Sequence, residues 1–359
     1  MSQKPINLLE YESLAKQHLD KMALDYYASG ALDEKTLIEN RSAFDRYKIL
    51  PKMLRGVSQR DLSTTILGQS LSAPILIAPM AFQCLADTRG ELATATAAVK
   101  LDLGMVLSTL STKSLEEVAN YGKKLWFQLY IHRDRNLTRT LVERAEQAGY
   151  QALCVTVDAP ILGVRECDRR NQFTLPPHLE IANLTSMKNL KIPQTKGESG
   201  LYEYFATQLD PGLTWQDLEW LASITKLPIA VKGILRADDA ITARECGAKA
   251  IIVSNHGGRQ LDGAIATIDA LGEITAAVGD KIEVLVDGGI RRGTDILKAL
   301  ARGAKAVLIG RPILWGLAVS GEQGVADILS ILIQELDNAM ALSGCAKLQD
   351  VAANLIKQL

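Results

Sequence analysis

The sequence lacks the marks of a polyanion binder. Its 40 Lys and Arg are matched by 41 Asp and Glu. No basic run or basic-aromatic stripe occurs, which argues against nucleic acid as a partner. Cysteine is sparse: Cys84, Cys154, Cys167, Cys246 and Cys345 are odd in number, scattered and without CxxC spacing. That speaks against a zinc site and fits reduced thiols, most of them in the core, in a reducing cytoplasm. No apolar run reads as long enough to cross a membrane. The start, Met1-Ser2-Gln3-Lys4-Pro5, has no apolar segment behind it, so no signal peptide is expected. There is no low-complexity segment, and no strand is followed by a GxGxxG turn opening a helix. Histidine is also scarce, with only His18, His132, His178 and His256.

What is present is an alternation. Glu10 to Leu19, Lys21 to Ala28 and Glu34 to Asn40 have helical spacing, with Gly30 as a stop signal. Tyr26 and Tyr27, adjacent on a helix, read as packing residues. A connecting segment with Pro51 follows, and Thr64 to Gly68 suggests a strand ahead of the main array. From residue 75 short apolar runs alternate with helix-like stretches. The strands are expected at Ile75 to Ala81, Met105 to Leu110, Trp126 to Tyr130, Ala152 to Asp158, Pro228 to Gly233, Ala250 to Asn255, Glu283 to Gly289 and Ala306 to Arg311. The helices include Glu91 to Lys100, Leu115 to Tyr121, Asn136 to Ala148, Trp215 to Ile224, Ala237 to Cys246, Thr267 to Val278 and Thr294 to Ala301. Gly149, Gly247 and Gly303 lie just past three of them, as left-handed stops do.

Eight strands with crossover helices predict a parallel sheet. Eight also closes a (β/α)8 TIM barrel, here one domain over 1–359 with an N-terminal helical extension. An open doubly wound sheet is the alternative. Between the fourth and fifth strands lie about seventy residues, where a βα unit needs roughly thirty. The excess, about 165–212, is polar, carries Pro176-Pro177 and Gly197, and has weak periodicity. It leaves the catalytic face, so a lid is expected.

A barrel keeps its chemistry at the carboxyl ends of its strands. Those ends read Ala78-Pro79-Met80-Ala81, Ser108-Thr109-Leu110, Gln128 with Tyr130, Thr156 with Asp158, Lys232, Ser254 with His256, Asp287-Gly288-Gly289 followed by Arg291, and Gly310-Arg311. The paired residues are two apart and so share one side of their strand. A lysine ending an apolar strand is costly unless an anion meets it. The Gly-Arg turns after strands seven and eight stand at the fold's phosphate-binding corner, where glycines admit backbone N–H groups and arginine supplies charge. Two ordinary tight turns are the plain alternative.

Only His256 among the histidines ends a buried strand on this rim. A neutral imidazole there suits a general base. Asp158 across the rim raises its basicity, and Arg259 and Arg165 are placed to hold a carboxylate. Such a site removes a proton or hydride equivalent next to a carboxylate. A histidine merely satisfied by its loop is the alternative.

Ser254-Asn255-His256-Gly257-Gly258-Arg259-Gln260-Leu261-Asp262 resembles the signature of the FMN-dependent L-2-hydroxy acid oxidizing family. Further matches are Asp25 to Gly30, Ile77-Ala78-Pro79, Phe127 to Tyr130, Thr156-Val157-Asp158, Leu162-Gly163, Val231-Lys232-Gly233, Asp287 to Asp295, Ile309 to Pro312 and Met340 to Cys345. They cover nearly the whole chain. The resemblance implies that His256 is the base, supported by Asp158. It implies that Arg165 and Arg259 hold the substrate carboxylate, while Tyr26 and Tyr130 hydrogen-bond the carboxylate and hydroxyl. For the FMN ring it implies a cradle of the backbone at Ala78, Pro79, Met80 and Ala81 with Ser108, Gln128, Thr156 and Ser254. Lys232 is implied beside the ring, where a cation balances negative charge. Asp287 and Arg291 are implied for the ribityl and phosphate region, completed by Gly289, Gly310 and Arg311.

Within the family, the absence of a haem domain and of a membrane segment in the insertion argues against the cytochrome-fused and membrane-bound branches. Ala81, where some dehydrogenase members have Gly, points to an oxidase that reduces O2 to H2O2. Met80, Leu110 and Phe205 stand where plant-type glycolate oxidases have Thr, Trp and Val, a combination similar to cyanobacterial lactate oxidases. Oxidation of a small L-2-hydroxy acid is therefore expected, L-lactate first and glycolate accepted. Glycolate oxidation, a non-oxygen acceptor, and a phosphate-binding barrel without redox work are the alternatives. Family resemblance implies a homotetramer. The ending Lys357-Gln358-Leu359 lacks the serine and basic residue of a Ser-Lys-Leu address, which favours the cytoplasm.

Overall fold

Eight short runs of aliphatic and β-branched residues pair in parallel and close on themselves in the computed structural model of the chain, which describes residues 4–188 and 199–359. The barrel strands are β1 (Ile75–Ile77), β2 (Gly104–Ser108), β3 (Leu125–Leu129), β4 (Ala152–Thr156), β5 (Ile229–Ile234), β6 (Ala250–Val253), β7 (Glu283–Val286) and β8 (Ala306–Ile309). They follow one another around the ring, and β8 pairs with β1 through Val307↔Ile75 and Ile309↔Ile77.

Strand periodicity divides the side chains into two cores. Leu76, Val106, Trp126, Cys154, Ala230, Ile252, Leu285 and Leu308 form one buried cluster, the barrel interior. Their strand neighbours, such as Ile75, Ile77, Met105, Leu107 and Val253, join the larger cluster under the outer helices. Thr64–Ile66 is a strand, as expected, and it pairs antiparallel with Gln69–Leu71. Ile66 and Leu71 complete the interior cluster. Leu67 N–H donates to Glu283 at the start of β7 (2.8 Å), so this hairpin plugs the barrel end opposite the strand tips. Tyr47–Ile49 pairs with Ile356–Gln358.

All eight expected strands form. Six of their ladders stop two to four residues short of the expected ends, because the chain bends away from the sheet to build loops at the rim. Glu91–Lys100, Trp215–Ile224 and Thr267–Val278 match their helices residue for residue. Gly149, Gly247 and Gly303 have φ of 83°, 99° and 97° and are the left-handed stops expected. Gly30 is different: helix Lys21–Ala28 is already finished. Gly30 is small because a Cβ would meet Gly258 O at 2.9 Å.

Two expectations need correction. Among the described residues one helix, Arg311–Ser343, is long and apolar enough by length and composition to span a membrane. It is two helices meeting at Ser320 and Gly321, the latter at φ 55°, and the arms touch backbone to backbone at Gly316 and Gly324. Ile313, Trp315 and Leu317 before the corner, and Ile328, Leu332 and Leu336 after it, are buried in the larger core. The insertion after β4 is also more regular than its weak periodicity suggests. It holds helices Glu166–Arg170, Ala182–Lys188 and Gly200–Gln208, with Phe173, Leu175, Ile181, Leu184, Leu201, Tyr204 and Phe205 buried. Gly197 lies outside the described residues.

Candidate active site

The strand tips surround a cleft with about 1050 Å3 of space including its open mouth, a size that takes a cofactor and a small substrate together. Ala78, Pro79, Met80, Ala81, Ser108, Leu110, Gln128, Tyr130, Thr156, Lys232, His256, Arg259, Asp287, Gly289, Arg291, Gly310 and Arg311 all line it. Tyr26 enters from the N-terminal helix, and Arg165 and Phe205 from the insertion. Asp158 and Ser254 stand directly behind this wall.

His256 Nδ1 lies 2.8 Å from Asp158 Oδ1. With Nδ1–H donated to the carboxylate, Nε2 is the free acceptor. The pairing of His256 with Ser254 does not come from strand parity, since β6 ends at Val253. His256 instead sits in the left-handed region at φ 58°, an uncommon conformation that its loop must enforce. Its N–H donates to Ser254 Oγ (3.1 Å). Asn255, one residue before, exchanges two 2.8 Å hydrogen bonds with Asn40. Gly233 makes room for Asp158, because a Cβ there would come within 2.6 Å of the Asp158 Cβ. Burial pushes the His256 pKa down, and Asp158 only partly restores it, so the imidazole is neutral at neutral pH. Asp158 is held below the ordinary carboxylate range: burial acts to raise it, but His256 and Lys232 outweigh that.

Arg259 and Arg165 lie side by side. Arg259 Nη1 donates to Tyr26 O (2.6 Å) and Ser29 O (2.9 Å), and its guanidinium sits 4.9 Å over the Tyr26 ring. Burial and the neighbouring Arg165 lower its pKa to about 10. Arg165 Nη1 is 3.7 Å from Asp168 Oδ2. The sequence reading missed Asp168, although an i,i+3 Arg-Asp pair at a helix start was visible. Tyr26 is both packing residue and cleft residue: it stacks on Phe173 at 4.3 Å and lines the cleft. Tyr130 meets Phe205 edge-on at 5.5 Å.

At the other end Lys232 Nζ donates to Ser254 Oγ (2.9 Å) and pairs with Asp287 Oδ2 (3.1 Å). Burial would lower its pKa, yet Asp287 and Asp158 raise it overall, so the ammonium stays charged. Burial lowers the Arg291 pKa to about 10, with Arg41 adding repulsion. Arg311 lines the cleft and is also braced by the protein. Its Nε, Nη1 and Nη2 each donate at 2.9 Å, to Tyr27 O, Gly257 O and Ser29 O. It contributes buried positive charge and a braced loop. Gly289 is likewise required by packing as well as by any ligand: at φ 81°, a Cβ would sit 1.8 Å from Asn40 O.

These residues fit FMN on their own evidence. Gln128 Nε2, Asp287 Oδ1 and Arg291 Nε are buried without a protein partner, and each belongs to a residue lining the cleft. Buried donors and acceptors of this kind call for a partner, which a polar cofactor in the cleft would supply. Lys232, Arg165, Arg259, Arg291 and Arg311 outnumber the one lining carboxylate, Asp287, so the cleft calls for anions such as a phosphate and a substrate carboxylate.

Known proteins are similar to this chain over nearly its whole length. The chain is 66% identical over 357 residues to the L-lactate oxidase of Nostoc sp. (strain PCC 7120), covering 98% of each. It is 52% identical over 353 residues to 2-hydroxyacid oxidase 1 of Homo sapiens, covering 97% of this chain and 95% of that one. The crystal structure of mandelate oxidase with (S)-4-hydroxymandelic acid superposes with a TM-score of 0.94 at 42% identity, covering 98% of each chain. Residues 15–358 match the FMN-dependent dehydrogenase family, and the chain belongs to it.

Proposed function

We propose that this chain oxidises L-lactate to pyruvate, passes the electrons to O2 to give H2O2, and takes glycolate as a poorer substrate. One observation carries the preference. The cleft that holds His256 and two arginines is walled by Met80, Leu110 and Phe205, an apolar surface suited to a methyl group. The higher identity to an L-lactate oxidase supports it.

Bound FMN supplies the two-electron acceptor for the substrate carbon. Ser108, Gln128, Thr156 and Lys232 would hold its ring against the Ala78–Ala81 backbone, with Ser254 behind Lys232. Asp287, Gly289, Arg291, Gly310 and Arg311 would hold its ribityl phosphate. Arg165 and Arg259 bind the substrate carboxylate, and Tyr26 and Tyr130 orient the carboxylate and hydroxyl. His256 Nε2 takes the substrate's proton, and Asp158 steadies the resulting imidazolium through Nδ1–H. Ser254 Oγ accepts from both His256 N–H and Lys232 Nζ, so base and ammonium keep a fixed relation.

The insertion serves as a lid; Leu201 and Phe205 already reach the cleft wall from it. The chain assembles as a homotetramer. Support comes from apolar side chains left exposed on loops, Leu32, Ile161, Val164 and Leu261, and on helix Lys35–Ser42, Ile38. Five free thiols favour a cytoplasmic setting.

The test is anaerobic mixing of the yellow protein with L-lactate and with glycolate side by side, followed by air. Lactate should bleach it faster, and air should restore the colour at once. Faster bleaching by glycolate refutes the preference, and slow recovery in air refutes the oxidase. Leu110→Trp should raise the glycolate-to-lactate ratio within the roughly 10–200-fold that one methylene can command. An unchanged ratio rejects the assignment of the wall.

A further inference from the structure

Among the buried polar side chains of the insertion that the mechanism above does not use, Asn183 is the most deeply placed. Asn183, in helix Ala182–Lys188, is 0% exposed. Its Oδ1 accepts from Leu115 N–H at 2.8 Å. Its Nδ2 reaches Ser111 Oγ at 2.8 Å, Thr109 O at 3.1 Å and Ser108 O at 3.4 Å. The preceding amide, Ala182 N–H, donates to Ser111 O at 3.1 Å. Asn183 O in turn accepts from Arg144 Nη1 at 2.7 Å, and Glu116 engages the same guanidinium.

The partners matter more than their number. Thr109 and Ser111 flank Leu110, so one amide from the insertion grips the backbone before Leu110 and the side chain after it. Leu110 N–H itself donates to Ser108 Oγ at 3.1 Å, and Ser108 Oγ donates to Gln128 Oε1 at 3.2 Å. Leu110 O also accepts from Phe82 N–H at 3.2 Å, so Leu110 is held from the Phe82 turn, from the cofactor wall and, through both its chain neighbours, from Asn183.

We propose that Asn183 is a positioning residue for substrate selectivity: from the insertion it fixes Leu110 against the substrate, so that lid and pocket wall move as one. The proposal rests on Leu110 being a selecting residue. Truncating Asn183 leaves Leu115 N–H and Thr109 O without their buried partner, a cost the loop relieves by opening toward water. Leu110 then withdraws from the substrate's methyl group. His256, Asp158, Arg165 and Arg259 are untouched, so contact selective for lactate is lost while turnover is kept.

The experiment uses the FMN-loaded enzyme with Asn183→Ala, Ser111→Ala, Leu110→Ala and the Asn183→Ala/Leu110→Ala pair. The kcat and KM for L-lactate and glycolate are read with hydrogen exchange of the peptide spanning 108–118. Asn183→Ala should lower the lactate-over-glycolate preference by about threefold or more, through the lactate KM, with kcat within about twofold. Ser111→Ala should move it the same way by less. In the Leu110→Ala background Asn183→Ala should add nothing, the mark of action through Leu110. Exchange of the 108–118 peptide should quicken in Asn183→Ala. An unchanged preference in Asn183→Ala, or the same extra shift with Leu110 already truncated, overturns the proposal. If Asn183→Ala does not fold, an unchanged preference in Ser111→Ala overturns it. If Leu110→Ala alone leaves the preference unmoved, the assignment of Leu110 fails first and the proposal falls with it.

Discussion

Gly289→Ala separates two costs that a glycine position usually mixes. Its φ of 81° lies in the left-handed region, and so does that of Gly149 at 83°. An alanine pays about 1–2 kcal/mol there from backbone sterics alone. At Gly149 the new methyl meets nothing within 4 Å, so that is the whole effect. At Gly289 it would land 1.8 Å from Asn40 O and 2.4 Å from Asn40 C. A backbone carbonyl cannot swing aside as a side-chain tip can. Overpacking adds a further 1–3 kcal/mol or so, for a total of about 2–5 kcal/mol. The strain also travels, since Asn40 is doubly hydrogen-bonded to Asn255, the residue before His256. Urea unfolding of the two apoprotein variants and titration of each with FMN measure this. Gly149→Ala should lose about 1–2 kcal/mol and bind FMN normally. Gly289→Ala should lose more and bind FMN at least about tenfold more weakly, a 1.4 kcal/mol effect. Equal losses of stability with equal FMN affinity would refute the reasoning, because they would show that the methyl never meets Asn40.

His256→Ala should keep FMN and lose turnover by about 10²–10⁴-fold, the usual worth of a positioned base; full activity sinks the assignment. The pH profile follows from the direction of the His256 shift. Burial holds its pKa below the ordinary 6.5, so the base stays neutral and kcat/KM should hold below that pH before falling. Asp158 pulls that pKa upward, so Asp158→Asn should move the acid limb of kcat/KM to lower pH as well as slowing the reaction. A limb displaced to higher pH contradicts the pair.

The barrel was legible because its signals are local. A β-branched run, a glycine stop and a helical period each occupy a dozen residues or fewer. The long helix Arg311–Ser343 was not drawn, since a corner at Ser320 and Gly321 interrupts its pattern. In the site, residue types were legible at the strand ends, but their partners were not. Arg311 reads as a cation at a turn, and only the fold shows the carbonyls of Tyr27, Ser29 and Gly257 bracing it. Asp168 and Asn183 each have an ordinary local explanation, and only their burial marks them.

The sequence by itself determined the architecture and the chemistry: eight strands, one rim, one well-placed histidine, a Gly-Arg corner. Those features depend on periodicity and on residue type, which a chain carries wherever it goes. Tertiary structure decided the relations across the rim. It set the 2.8 Å contact of His256 with Asp158, the left-handed turn that aims the imidazole, and the grip of Asn183 on the loop of Leu110. The two contacts join residues 98 and 72 positions apart, and no local rule of propensity or spacing sees a partner that only closure of the barrel brings near.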